Sequence, residues 1–143
     1  MLTLADLQPG EKLVDLGAGD GRIVIVAART FQAFAVGVEV DPLRCLLANT
    51  LIRLLGLHER ARVYYGNMFE FDIAEADVVS MYLLQATNQR LKTRLVEQLK
   101  PGARIVSRTF SISDWTPLAI DEKRGIFLYE IGKTGPEVRT KLV

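Results

Sequence analysis

Two carboxylates and three glycines within the first forty residues are the residues best suited to bind a small molecule. The stretch VDLGAGDGRIV contains Asp15 and the alternating glycines Gly17, Gly19 and Gly21. Glu39 follows the last of these glycines by roughly 20 residues and ends a second apolar run. Glycines in this pattern let the backbone turn tightly and allow a ligand to approach it closely. The pattern therefore predicts a binding loop with two acidic groups beside it.

The two acids indicate which ligand the loop could take. A dinucleotide-binding fingerprint has its third glycine where this chain has Arg22, and a carboxylate at Asp15 would repel a pyrophosphate. The same carboxylate suits an ammonium group, and an acid at Glu39 can accept hydrogen bonds from ribose hydroxyls. The ligand therefore has a ribose and a cationic amino-acid end but no phosphate, which is the chemistry of S-adenosylmethionine. Asp15 and Arg22 disfavour a nicotinamide oxidoreductase.

The binding loop requires a fold that brings the ends of several strands together. Short apolar runs of strand type alternate with segments of helical periodicity, and a hairpin of the segments TPLAI and GIFLYEIG follows them. The five strands predicted before the hairpin are residues 12–17, 33–40, 61–67, 77–84 and 103–110. This order predicts an α/β sandwich whose mostly parallel sheet is closed by a C-terminal antiparallel hairpin. A ligand then binds at the carboxyl ends of the strands, beside the first one.

One helix is especially clear in the sequence. Asp41 and Pro42 provide an N-cap and a proline at the first helical position, and Gly56 ends the helix. Its apolar stripe at helical spacing consists of Leu43, Leu46, Leu47, Thr50, Leu51, Leu54 and Leu55.

Length and composition restrict the class of protein. The 143 residues suit one domain, which we place at residues 1–132, followed by a flexible tail over residues 133–143. With 18 basic and 17 acidic residues the net charge is +1, so nucleic acid is not an expected partner. The single cysteine, Cys45, excludes an internal disulfide, and no metal site is expected. The sequence has neither a membrane-spanning stretch nor a signal peptide, which predicts a cytoplasmic protein without membrane insertion.

Several segments resemble a known family. The pair DLGAGDG and GVEVDP resembles motifs I and II of the class I S-adenosylmethionine-dependent methyltransferases. GNMFEFDI, VVSMYLLQATNQRLKTRLVEQLKPGARIVSRTF and a W-x-P pattern resemble, more narrowly, the small archaeal protein-lysine methyltransferases and their mitochondrial lysine methyltransferase relatives. The resemblance extends from Asp15 to Ile131. It implies a Rossmann-like fold, S-adenosylmethionine as cofactor and a protein substrate that presents lysine.

The resemblance also implies roles for individual residues. Asp15 would orient the loop and the cofactor's amino group, Glu39 would hold both ribose hydroxyls, and Val40 would pack on the adenine. The backbone beside the methionine part would be that of Gly17, Ala18, Gly19 and Gly21, while Asn67 and Met68 would contact the adenine edge and face. The implied residues beside the transferred methyl group are Met81, Tyr82 and Leu83. Tyr82 could orient the accepting amine, or it could be a buried strand aromatic.

Other functions remain open at this point. The family carries an upstream proline-rich segment and helix that help cover cofactor and target, whereas this chain begins almost at the first strand. We therefore expect either a truncated sequence or a lid supplied otherwise. The alternatives are a small-molecule N- or O-methyltransferase and a cofactor-binding protein with little turnover. The methyl acceptor, the number of methyl groups added and the oligomeric state are not determined by the sequence.

Overall fold

The computed structural model describes residues 1–134. Its elements in chain order are β1 (Lys12–Leu16), α1 (Arg22–Thr30), β2 (Phe34–Glu39), α2 (Pro42–Leu54), β3 (Ala61–Tyr65), β4 (Val78–Met81), α3 (Gln85–Gln98), β5 (Arg104–Arg108), β6 (Ala119–Asp121) and β7 (Ile126–Glu130). Of the helices described, none has the length and apolarity needed to cross a membrane. Most of the predicted tail, residues 135–143, lies outside the described residues.

The seven strands form one sheet in the order β3-β2-β1-β4-β5-β7-β6. From β3 to β5 in this order, each strand pairs in parallel with the next, and β7 pairs antiparallel with both β5 and β6. This topology confirms the predicted α/β sandwich with a mostly parallel sheet and an antiparallel C-terminal hairpin. Since the chain runs from β1 to β2 on one side and later to β4 on the other, a crevice forms at the carboxyl end of β1.

Two apolar layers cover the sheet. Side chains alternate along β1, so that Leu13 joins the layer under α1, α2 and the first seven residues, while Val14 faces the opposite layer. That second layer holds Leu91 and Leu95 of α3 together with residues of the β3–β4 and β5–β6 connections. The apolar periodicity of strands and helices is therefore satisfied on both faces of the sheet.

Helix α2 begins as predicted but packs with a different face. Asp41 caps it, since its side chain accepts a hydrogen bond of 2.9 Å from the Leu43 N–H. The residues that face the sheet are Cys45, Ala48 and Ile52, and the small side chains of Cys45 and Ala48 allow close approach of the helix. The six leucines of the predicted apolar stripe are instead 39% to 79% exposed. The spacing thus predicts the helix correctly, although this stripe does not join the core.

The exposed edge of the sheet is protected at β3 by a side chain of α2. The Asn49 Nδ2 atom donates to the Val63 carbonyl at 2.7 Å, and the Val63 N–H donates to Asn49 Oδ1 at 2.9 Å. Asn49 therefore satisfies the central residue of an edge strand in the way that a neighbouring strand would. Such blocking hinders strand-to-strand association between molecules.

We expect Asn49→Leu to reduce the free energy of unfolding by about 1–3 kcal/mol, because two hydrogen bonds to Val63 are lost. Urea denaturation measures this change, and light scattering on heating should show earlier aggregation. Asn49→Asp, of the same shape, tests the donor alone, since it keeps the acceptor for the Val63 N–H but sets a carboxylate oxygen against the Val63 carbonyl; it should also be destabilising. Equal stability of wild type and Asn49→Leu would show that water replaces the amide without cost.

Candidate active site

The structure brings the predicted binding residues together where β1, β2 and β4 end. Asp15 lies in β1 beside Gly37 of β2 and Ser80 of β4 in the strand register. Glu39 is the last residue of β2, and Met81 is the last residue of β4. The crevice at the carboxyl ends of the sheet therefore has an acid on each of two adjacent strands.

Glu39 holds the glycine loop in place. Its Oε1 atom accepts a hydrogen bond of 2.8 Å from the Gly19 N–H, and its Oε2 atom accepts one of 2.9 Å from the Asp41 N–H. The Gly17 N–H donates to the Val38 carbonyl at 3.0 Å and thereby fixes the start of the loop. Each carboxylate oxygen can accept further hydrogen bonds, so Glu39 can order the loop and still bind hydroxyl groups.

Two loop positions require glycine for different reasons. Gly17 has a φ of +77°, and a Cβ on it would lie 2.8 Å from Leu83 Cδ2 and 3.5 Å from Met68 Cε. Gly21 has a φ of +81°, and its Cβ would lie 2.9 Å from the Cβ of Ala48 on α2. The first glycine therefore keeps the crevice open, and the third allows the start of α1 to approach α2.

Asp15 is a buried carboxyl group with an unusual acidity. Its pKa is raised from 3.8 to about 7, mainly because burial disfavours the charged form. The hydrogen bond that Ser80 Oγ donates to Asp15 Oδ1, at 2.8 Å, lowers the pKa, whereas Asp20 and Glu39 raise it. Because burial makes the ionised form of Asp15 unfavourable in free energy, a cation beside it would stabilise that form strongly.

The chain matches a known family over most of its length. The profile of the ANTKMT methyltransferase domain matches residues 15–119, which include the glycine loop, Glu39 and β4. The chain belongs to this methyltransferase family.

Individual relatives agree with this assignment. The methyltransferase is 41% identical over 140 residues to a protein-lysine N-methyltransferase of Saccharolobus islandicus, covering 93% of this chain and 87% of the relative. It is 31% identical to the mouse adenine nucleotide translocase lysine N-methyltransferase, covering 96% of this chain but 61% of the mouse protein. A solved structure described as an RNA methyltransferase from Salinibacter ruber, in complex with S-adenosyl-L-homocysteine, has a TM-score of 0.91 and 41% identity and covers 95% of this chain and 90% of that one.

Residues predicted to contact adenine flank one side of the crevice in the methyltransferase. Val40, directly after β2, is 70% exposed, so its side chain is available to a flat apolar ring. Asn67 is exposed and its Oδ1 accepts a hydrogen bond of 2.9 Å from the Phe69 N–H, which leaves the side-chain amide group as a donor. Met68 is partly buried against the core below the loop. Their contacts with adenine stay predictions.

The residues predicted to lie beside the methyl group differ in exposure. Met81 is fully buried in the core, Leu83 is partly buried, and Tyr82 is 61% exposed. Tyr82 is therefore not the buried strand aromatic that was the alternative interpretation. The Arg108 guanidinium carbon lies 5.1 Å from the centroid of the Tyr82 ring. The side chains of Tyr82, Leu83 and Leu84, the last of which is 69% exposed, form an apolar rim, and Arg108 lies at its border.

Two residues of the site were missed by sequence reasoning. Gly37 makes room for the loop, because a Cβ there would overlap the side chain of Ala18. A glycine within an apolar strand is a known sign of close backbone approach and could have indicated this. Ser80 is the hydrogen-bond donor to Asp15, and nothing in its sequence context identifies it. His58 is exposed and lies between α2 and β3, at the amino ends of the strands and away from the crevice.

Proposed function

We propose that the chain is an S-adenosylmethionine-dependent methyltransferase that acts on lysine side chains of a protein substrate. The observation that carries this proposal is the crevice in which buried Asp15 and Glu39 lie beside a glycine loop that opens onto an apolar rim. The names of the archaeal and mouse relatives support lysine as the acceptor. The proposal includes a protein rather than nucleic acid as substrate, and a cytoplasmic location.

The residues present fit the cofactor's chemical groups. Asp15 would pair with the ammonium group of the methionine part, and Glu39 would accept hydrogen bonds from the ribose hydroxyls. Val40, Asn67 and Met68 would border the adenine. When bound, the cofactor supplies an electrophilic methyl group on a sulfonium. A nicotinamide dinucleotide does not fit as well, since its pyrophosphate would have to lie near two buried acids.

The chain's task toward the acceptor is to position a neutral amine. Free lysine has a pKa of about 10.4, so its ammonium form must lose a proton before it can attack. The apolar rim of Tyr82, Leu83 and Leu84 would desolvate the amine, and the cation of Arg108 would oppose a second positive charge. Both effects favour the neutral form. Tyr82 would orient the amine through its hydroxyl, with nucleophile and methyl group held roughly 3 Å apart and collinear.

The experiment that tests the substrate class uses the purified chain, labelled S-adenosylmethionine and a cell extract. One sample is treated with ribonuclease and another with protease before the label is located by mass spectrometry. We expect label on lysine side chains and loss of signal only after protease treatment. Label in RNA would favour an RNA methyltransferase, the activity by which the Salinibacter protein is named. Label on a metabolite would favour a small-molecule methyltransferase, and cofactor binding without label a binding protein.

At saturating cofactor we expect the methylation rate to rise with pH by up to about tenfold per unit between about pH 7 and pH 9, because the neutral lysine fraction rises in this way. Initial rates from lysine-directed mass spectrometry measure this profile. His58→Ala is the control and should give the same profile, since His58 lies away from the crevice. A bell-shaped profile that His58→Ala abolishes would contradict desolvation as the means of deprotonation and make His58 a general base.

A further inference from the structure

The outer face of α2 has the pattern of an interface rather than of a solvated helix. Its centre line is formed by Leu43, Leu47, Thr50 and Leu54, spaced by four, three and four residues, which is the spacing of a coiled-coil seam. Leu43, Leu47 and Leu54 are 62%, 59% and 79% exposed. The Thr50 hydroxyl donates to the Leu46 carbonyl at 2.8 Å, so its polar group is already satisfied within the helix.

We infer that α2 is a self-association surface, on which a second copy of this chain packs its own α2 in antiparallel orientation. A two-fold axis between Leu47 and Thr50 would place Leu47 of each copy against Thr50 of the other. The same axis would place Leu43 against Leu54 at both ends of the seam. One patch therefore serves both copies, as an isologous interface requires.

The apolar area supports this occupant. The six exposed leucines present on the order of 600 Å² of apolar surface, which is the upper end of what monomers expose in one patch. Two such patches together bury on the order of 1,200 Å², the lower end of specific protein–protein interfaces. The stripe is thus close to the smallest area that specific protein–protein interfaces bury.

The charges of α2 are arranged to permit this pairing. The charged residues within the helix are Arg44 and Arg53, and they border the seam on opposite sides. In an antiparallel pair, Arg44 would lie opposite Leu51 of the second copy and Arg53 opposite Leu46. Neither arginine therefore faces an arginine of the second copy, and the methylene groups of each can pack on the opposite leucine.

Sedimentation equilibrium of the full chain tests the proposal with two leucine-to-lysine variants. We expect wild type to dimerise and Leu47→Lys to weaken the dimer at least about a hundredfold, since two lysines would be buried at the axis. Leu118→Lys is the matched control, because Leu118 is 49% exposed but lies next to β6, away from α2. It should dimerise like wild type. A dimer that Leu47→Lys does not weaken would overturn the proposal, whatever the effect of Leu118→Lys.

Disulfide trapping tests the orientation. Mixing Leu47→Cys with Thr50→Cys should give a linked pair under mild oxidation, whereas Leu47→Cys alone should link poorly; native Cys45 is buried and does not compete. Efficient linking of Leu47→Cys to itself would contradict the antiparallel register. A wild type that stays monomeric at millimolar concentration overturns self-association, and binding of that monomer to phosphatidylglycerol vesicles would assign the stripe to a lipid surface.

Discussion

Asp15→Asn should lower the affinity for S-adenosylmethionine by at least about thirtyfold, because losing one partner of a buried charge pair costs about 2–5 kcal/mol. The apo protein should change in the opposite direction and become more stable at pH 8. Asparagine is neutral and can still accept the hydrogen bond from Ser80, whereas the buried carboxylate is costly when charged. A pKa raised from 3.8 to about 7 corresponds to at most about 4 kcal/mol. Titration calorimetry and urea denaturation measure the two effects.

The raised pKa of Asp15 also predicts how protein stability and cofactor affinity depend on pH. Because the folded pKa of Asp15 lies above its unfolded value, its contribution to stability is fully present below about pH 3.8 and is lost as pH rises through about 7. Because Asp15 is proposed to pair with the cofactor's ammonium group as a carboxylate, wild-type affinity should rise between pH 6 and pH 8, about tenfold for each unit below the pKa. Binding at pH 6 should also release a proton, which calorimetry in buffers of different ionisation enthalpy detects.

Ser80→Ala provides the control for Asp15. It removes the hydrogen bond that lowers the Asp15 pKa and leaves the carboxyl group in place. The pH dependence of cofactor affinity should therefore move to higher pH, while affinity at high pH stays near that of wild type. If Asp15→Asn binds as tightly as wild type at pH 8, the ammonium group is held elsewhere and the assignment of Asp15 is wrong.

Glu39→Ala should reduce cofactor affinity at least a hundredfold, since two hydrogen bonds to a charged acceptor contribute about 1.5–3 kcal/mol each. The structure adds a second effect, because the same carboxylate accepts from the Gly19 and Asp41 N–H groups. Its loss leaves both donors without this partner and loosens the loop. Thermal unfolding of the apo protein should therefore also shift to lower temperature. Titration with S-adenosylhomocysteine separates the binding effect from the stability effect.

Glu39→Gln distinguishes the two roles of this side chain. Its single amide oxygen can still accept from Gly19, whereas its NH₂ group faces the Asp41 N–H as a second donor. We expect an intermediate loss of affinity and a smaller loss of stability than for Glu39→Ala. Unchanged affinity in a folded Glu39→Ala protein would mean that other groups hold the ribose.

The sheet and the position of the crevice could be predicted from sequence because their signals are local. Short apolar runs ended by glycine mark the strands, and Asp41 with Pro42 marks the start of α2. These signals fix the order of elements, and the order restricts the topology to few choices. The glycine loop and Glu39 then had to lie at the carboxyl ends of neighbouring strands.

The remaining features depend on contacts that sequence spacing does not contain. Ser80 reaches Asp15 across 65 residues, through the pairing of β4 with β1. Helix α2 carries two candidate stripes, and periodicity alone cannot tell that the narrow one of Cys45, Ala48 and Ile52 packs on the sheet. On this face the small side chains of Cys45 and Ala48 allow the helix to approach the sheet closely, and the leucines are left outside.

The anchoring of the glycine loop by Glu39 has a consequence for turnover. A preorganised crevice loses little conformational entropy on binding, and it binds tightly any ligand that is complementary to its fixed groups. In the proposed reaction, the adenine, ribose and amino-acid end are common to the cofactor and its demethylated product, so most of the affinity would be common to both. Product inhibition then follows, and the rate in the cell would depend on the ratio of the two forms rather than on the supply of methyl donor alone.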